Sequence, residues 1–167
     1  MTRCRSGFTI IELMVVVLIM GIMAGLAVLS VQGHIDRARW TQSIEQIEHL
    51  DRMGRIFARR DVSPYTLTFS RSKQKVELRA TGANAPRKSL RECKLPKSFS
   101  FSSFQKNQER ILGDKLEIEF TASGQSSSYA VAIQASTGPS QWFVTLGLSG
   151  QQIRLENAKD VAALLSK

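Results

Sequence analysis

The sequence predicts an α+β protein: a long N-terminal α-helix, membrane-spanning in its first half and amphipathic in its second, packed on a small antiparallel β-sheet or β-sandwich domain. Three observations predict it. Leu13 to Val31 carries no charge, no proline occurs before Pro64, and the chain beyond Pro64 breaks into short alternating segments separated by turn residues. At 167 residues there is room for one domain of ordinary size. The expected organisation is a basic leader over 1–7, an apolar transmembrane helix over 8–33, its amphipathic continuation over 34–60 and a β-rich globular domain over 61–167.

Phe8 to Val31 would extend about 36 Å as a helix, enough to cross a hydrocarbon core of roughly 30 Å. Glu12 is the only ionised side chain in this block. At a bilayer centre such a carboxylate costs about 2.5–3.5 kcal/mol, less toward the interface. Two readings stand on charge alone. Glu12 is buried with a partner and a role, or the span begins just past it and leaves the carboxylate solvated.

In front of the block lies Met1-Thr2-Arg3-Cys4-Arg5-Ser6-Gly7, a short basic leader ending in a small residue. A secretory signal is cut after its apolar region; here the candidate cut precedes it, so the helix would stay on the mature chain. Gly7-Phe8-Thr9-Ile10-Ile11-Glu12, followed by the unbroken apolar run, resembles the processing motif of type IV prepilins and type II secretion prepseudopilins. The resemblance implies cleavage between Gly7 and Phe8 by the prepilin peptidase, N-methylation of Phe8, and use of Glu12 in filament assembly. It implies further partners: other pilins or pseudopilins through the N-terminal helix, the inner-membrane assembly platform, and membrane lipid before assembly. The location it implies is the inner membrane, single-pass, with a cytoplasmic N-terminus and a periplasmic C-terminal domain, and then the filament. The charges agree only weakly: Arg3 and Arg5 lie on one side of the span, Arg37 and Arg39 beside Asp36 on the other. Cleavage would remove Arg3 and Arg5, taking the net charge from +9 to +7. Cys4 would leave too, making Cys93 the one remaining thiol and an intramolecular disulfide impossible.

Residues 34–60 keep a helical period. Ile35, Trp40, Ile47, Leu50, Met53 and Phe57 cluster on one face, while Arg37, Glu48, Arg52, Arg55 and Arg59 fall opposite. Glu48/Arg52 and Asp51/Arg55 are i,i+4 pairs worth a few tenths of a kcal/mol each on a solvated helix. Gly33 and Gly54 are tolerated weak points, each costing up to about 1 kcal/mol. Strands are expected over 65–69, 75–79, 115–120, 129–133, 142–146 and 152–155, with Phe99, Phe101 and Phe104 as material for one more. Hairpin-length gaps imply mostly antiparallel pairing, and residues 160–165 suit a closing helical turn.

Within the family resembled, the lone helix, the all-β remainder and the ending Gln141 to Leu146, Gly150 and Ile153-Arg154-Leu155 look like minor subunits of the GspH/FimT type. Major pilins often carry a kinking proline late in the apolar segment and a C-terminal disulfide loop, and this chain has neither. The dense Asp/Asn cluster of a calcium site is also missing from the last 50 residues. The function expected is a minor pseudopilin of a type II secretion system, a structural subunit without catalysis, metal or cofactor. The alternative is a FimT-like minor pilin at a pilus tip, binding DNA through a basic surface.

Catalytic signatures are absent from the sequence. His34 and His49 are too few for a histidine metal site, Cys93 lacks a C-x-x-C partner, and Glu117 and Glu119 beside Lys115 suit a solvated strand edge. The basic residues Arg87, Lys88, Arg91, Lys94 and Lys97, with only Glu92 among them, are the candidates for nucleic-acid contact. Arg71, Lys73 and Lys75 form a second group. A solvated loop is the simpler explanation of the 87–97 run, and no aromatic interleaves it for base stacking.

Overall fold

The computed structural model describes residues 9–81, 89–135 and 140–165, with the helical backbone alone over 26–37. Two compact units divide the chain, Met1–Arg39 and Trp40–Lys167. Helix α1 (Ile10–Arg60) runs through both. Its N-terminus is capped by Thr9, whose carbonyl and Oγ1 accept the Glu12 N–H at 3.1 and 3.4 Å. Its end is set by Val62, which adopts the left-handed conformation at φ 47° so that the Ser63 N–H reaches the Ala58 carbonyl at 3.2 Å. Pro64 follows and forbids continuation.

Among the described residues of the second unit, nine strands follow: β1 (Tyr65–Ser70), β2 (Lys75–Ala80), β3 (Arg91–Lys94), β4 (Phe99–Lys106), β5 (Glu109–Ile111), β6 (Lys115–Phe120), β7 (Tyr129–Ala135), β8 (Ser140–Thr145) and β9 (Gln152–Leu155), then helix α2 (Ala158–Leu165). They form two antiparallel sheets, ordered β3-β2-β1-β6 and β5-β4-β7-β8-β9. The six expected strands are present within one or two residues, and the Phe99–Phe104 material forms β4. A bulge between Phe101 and Ser103 shifts the register, which turns both Phe101 and Phe104 inward in spite of their odd spacing. Two strands escaped the sequence reading: β5, only three residues long, and β3, inside the basic run.

The core is filled from three directions. Leu67 and Phe69, Val76 and Leu78, and Leu116, Ile118 and Phe120 point in from the first sheet. Phe101, Phe104, Tyr129, Val131, Ile133 and Phe143 point in from the second, and Phe69 meets Tyr129, Phe101 and Phe104 at ring-centroid distances of 5.6, 5.9 and 6.4 Å. Burying each such ring contributes about 1.5–3 kcal/mol. The part of α1 after Trp40 supplies Ile44, Ile47, Leu50 and Ala58. Gly54 is where helix and sheet touch: a Cβ there would run into the Phe120 ring and lie 3.1 Å from Leu78 Cδ1. The glycine expected to be a tolerated weak point is therefore a required close approach. On the far face of the second sheet, Val161 and Leu165 of α2 cover Ala130, Ala132, Trp142 and Val144. That cover explains why β7 is buried on both faces from Tyr129 to Ile133.

The face assigned to α1 needs correction. Arg55, expected on the solvated side, is 7% exposed, and Asp51 is fully buried. The apolar helix expected over 8–33 reaches outside the described residues, and among the described residues no helix is long and apolar enough to cross a membrane.

Candidate functional site

Gly7 and Phe8 lie outside the described residues. Glu12 stands in the first turn of α1, where a carboxylate also suits the positive end of the helix dipole. Around it the helix has no polar side. Ile10, Ile11, Leu13, Met14, Val15, Val16, Val17, Leu18, Ile19, Met20, Ile22 and Met23 are between 48% and 82% exposed. Successive residues step by about 100°, so these side chains cover the whole circumference. A helix apolar on every side needs lipid or other apolar helices around it. Glu12 is the one charged group on that described surface from Ile10 to Gly25.

The basic run is divided by the fold. Arg87 and Lys88 lie outside the described residues. Arg91, Glu92, Cys93 and Lys94 are β3, the edge strand of the first sheet, and alternation turns them to opposite faces. Arg91 lines an open groove with Gln46, His49 and Met53 of α1 and with Cys93. Lys94 faces outward beside Glu92, and Lys97 sits exposed in the turn before β4. Of the described candidates, Arg91 and Lys94 thus point to opposite faces of the sheet. Cys93, between them, is buried against α1, where its thiol donates to Gln46 Oε1 at 2.9 Å. Burial pushes that thiol above its ordinary pKa.

What the sheet assembles instead is a set of rows. Lys94, Lys75, Ser70 and Lys115 stand in register across all four strands of the first sheet, and Glu92, Glu77, Thr68 and Glu117 form the parallel row two residues on. Lys75 Nζ lies 2.5 Å from Glu77, and Arg79 lies 3.1 Å from the same carboxylate. The Lys75 hydrogen bond, followed by the Arg79 and Lys75 charges, holds Glu77 below the usual carboxylate range despite its burial. Lys115 was not part of either basic group seen in the sequence. Its place in the row depends on pairing β6 with β1, which no local pattern encodes. Glu117 and Glu119 are exposed on the outward face of edge strand β6, as expected of a wet edge.

A second polar cluster is buried under α1. Arg55 donates to Asp51 Oδ2 at 2.8 Å, to the Gly147 and Gly124 carbonyls at 2.7 and 3.2 Å, and to Ser126 Oγ at 2.9 Å. Tyr129 donates its hydroxyl to Asp51 Oδ1 at 2.9 Å. Burial, then the Asp51 charge, raises the Tyr129 phenol well above its ordinary pKa. This network ties α1 to the loops after β6 and β8. It is buried and fully engaged, so its chemistry is positional. Among the described residues, no group of three or more His, Cys, Asp or Glu could hold a metal.

Residues 2–28 match the prokaryotic N-terminal methylation motif. No curated protein matches the sequence. The fold is similar to that of the minor pseudopilin EpsH from the type 2 secretion system of Vibrio cholerae, at 9% identity and a TM-score of 0.55, over 72% of this chain and 97% of that one. It is similar also to the type IV minor pilin FimU of Pseudomonas aeruginosa, at 11% identity and a TM-score of 0.53, over 74% of this chain and 92% of that one.

Proposed function

We infer, for a protein whose motif and fold are those of the type IV pilin and pseudopilin family, that it is a minor filament subunit acting by assembly rather than catalysis. We assign its filament to a type II secretion pseudopilus. The observation that carries the reading is the exposed apolar circumference of α1 from Ile10 to Met23, with Glu12 at its head. Such a surface is stable only in lipid or in a bundle of like helices, and those are the two environments a subunit passes between. The likeness to EpsH agrees with the secretion assignment, and the likeness to FimU agrees with the pilus alternative to the same degree.

In this reading the prepilin peptidase cuts between Gly7 and Phe8 and Phe8 is N-methylated. The cut removes two arginines that would hold the N-terminus at the cytoplasmic membrane surface. The subunit waits in the inner membrane with its β domain in the periplasm. On assembly, Glu12 pairs with the N-terminal amine of a neighbour, because an unpaired charge inside an apolar bundle is costly.

Deletion of the gene tests this. Release of secreted proteins into the medium should fall and return with the wild-type gene, but not with Gly7→Leu, whose product should remain uncut. A mature chain beginning elsewhere than at methylated Phe8 would refute the processing step. Intact secretion with loss of surface pili would move the subunit to a pilus.

A further inference from the structure

Like charges stand directly opposite one another on the outward face of the first sheet. Lys75 faces Lys94, and Glu77 faces Glu92. Such pairs destabilise an antiparallel ladder. Exchanging residues 92 and 94 would turn both into opposite-charge pairs, so the order is not the one a sheet would choose for its own stability. Contacts along the strands, Lys75 to Glu77 at 2.5 Å and Lys94 to Glu92 at 4.0 Å, and one across them, Lys75 to Glu92 at 4.0 Å, offset the repulsion in part. The consequence is that charge is sorted along the strands, lysines at one end and glutamates behind them.

Two turns enlarge the lysine end. Lys73 is exposed in the turn between β1 and β2, and Lys97 in the turn between β3 and β4. The two turns are joined by the Leu95 N–H donating to the Gln74 carbonyl at 2.8 Å. Asp114 is the carboxylate here, and its oxygens accept from the Ser72 N–H and hydroxyl at 2.7 and 2.8 Å. Arg71 adds a further cation, stacked 4.9 Å over Phe104.

This is the end of the unit at which its chain begins. Trp40, the first residue of the unit, stacks on Phe99 at 5.1 Å. The Phe99 N–H closes the turn bearing Lys97 by donating to the Pro96 carbonyl at 2.9 Å. Only nine residues lead from Val31, the end of the uncharged stretch, to Trp40. Even fully extended they reach about 32 Å, and as a helix about 14 Å.

We propose that the lysine end of the β domain, Lys73, Lys75, Lys94, Lys97 and Lys115, rests on an anionic phospholipid surface while the subunit waits in the membrane. Headgroup phosphates supply counter-charge in addition to the Glu77 and Glu92 carboxylates that Lys75 and Lys94 already meet. The proposal rests on the membrane-anchored reading above and adds a second, electrostatic attachment to it. The tether favours lipid over nucleic acid, as does the burial of the neighbouring Phe99, Phe101 and Phe104, which are unavailable for stacking on bases. Each lysine at such a surface strengthens the contact by about fivefold.

The test uses the full chain in nanodiscs of phosphatidylcholine alone or with about one-third phosphatidylglycerol, read by amide hydrogen exchange. Segments 71–75 and 94–98 should exchange at least about fivefold more slowly in the anionic discs. The difference should vanish near 1 M salt, where the Debye length is about 3 Å, and in Lys94→Gln/Lys97→Gln/Lys115→Gln. Unchanged protection of β7 in that variant checks its fold. Equal exchange in both discs overturns the proposal, as does protection that survives the triple substitution. Duplex DNA protecting the same segments in neutral discs, where lipid does not differ, overturns it in favour of nucleic acid. A chain that enters both discs without lipid-dependent protection refutes only this contact; a chain that enters neither refutes the membrane anchor and the contact together.

Discussion

Replacing Arg55 by Met should unfold the β domain at a much lower temperature, although the sequence presents Arg55 as half of a routine helix-surface pair. The substitution keeps most of the buried stem and removes every donor. Three consequences follow from the geometry. Asp51, fully buried, loses its counter-ion at 2.8 Å and keeps only the Tyr129 hydroxyl at 2.9 Å and the Gln152 amide at 3.5 Å. The Gly124 and Gly147 carbonyls lose the guanidinium that joins their two loops. The Phe120 ring loses a cation 5.3 Å from its centroid. Breaking a buried pair by removing one partner costs about 3–5 kcal/mol, an order of magnitude above the same pair on a solvated helix. For a unit of this size, 1 kcal/mol moves Tm by about 3–5 °C, so the midpoint should fall by about 10–20 °C. Tryptophan fluorescence of the detergent-solubilised chain reads it through Trp40 and Trp142. Adding Asp51→Asn removes the stranded charge and should recover part of the loss. A fall below about 3 °C for Arg55→Met, or a double substitution additively worse than either single one, would refute the buried-network account.

Three further outcomes are expected. Stability should fall as pH rises above about 10, because the Tyr129 pKa is raised in the fold: unfolded chains then lose a proton that the native state retains, at about 1.4 kcal/mol per pH unit until the native phenol also ionises; alkaline denaturation of Tyr129→Phe should lack that slope, and an identical slope would refute the assignment. Val62→Gly should raise the thermal midpoint, since a β-branched residue at φ 47° is strained by about 1–2 kcal/mol and is 76% exposed, with little packing to lose; a lowered midpoint would show that Val62 contributes contacts that outweigh its backbone. Glu12→Gln should insert and be cleaved normally while entering filaments poorly, and incorporation at the wild-type level, measured by co-isolation with the major subunit, would make the carboxylate incidental.

Helical periodicity placed α1 correctly and put Ile47, Leu50, Trp40, Met53 and Phe57 against the core, but it left Arg55 outside the buried arc. On an ideal wheel Asp51 lies about 40° and Arg55 about 80° from Ile47, with Ile44 and Ala58 between Ile47 and Arg55. The buried arc therefore runs through both charges. Sorting residues by hydropathy pushed the centre of that arc toward Met53 and Phe57, which are only half-buried. The signal that Asp51 and Arg55 belong inside comes from Gly124, Ser126, Tyr129 and Gly147, 69 to 92 residues away from their partners on the helix. Strand β3 was hidden for a related reason. Its single inward hydrophobe, Cys93, gives no alternation to read, and its outward Glu92 and Lys94 make sense only against Glu77 and Lys75 on the strand alongside.

The N-terminal segment was legible for the opposite reason. In the proposed reading its partners lie outside this chain, so its meaning does not wait on tertiary contacts. In that reading a peptidase recognises Gly7-Phe8 as local sequence, and a bilayer responds only to length and polarity. The exposed surface from Ile10 to Met23 is therefore complete information, written in consecutive residues. The β domain carries its specificity in pairings between distant residues: lysine opposite lysine at one end of a sheet, and one arginine holding two loops against a helix. A substitution in the first segment should alter insertion, cutting or filament entry and leave the domain's midpoint unchanged. One in the Asp51–Arg55 network should do the reverse until the domain itself melts.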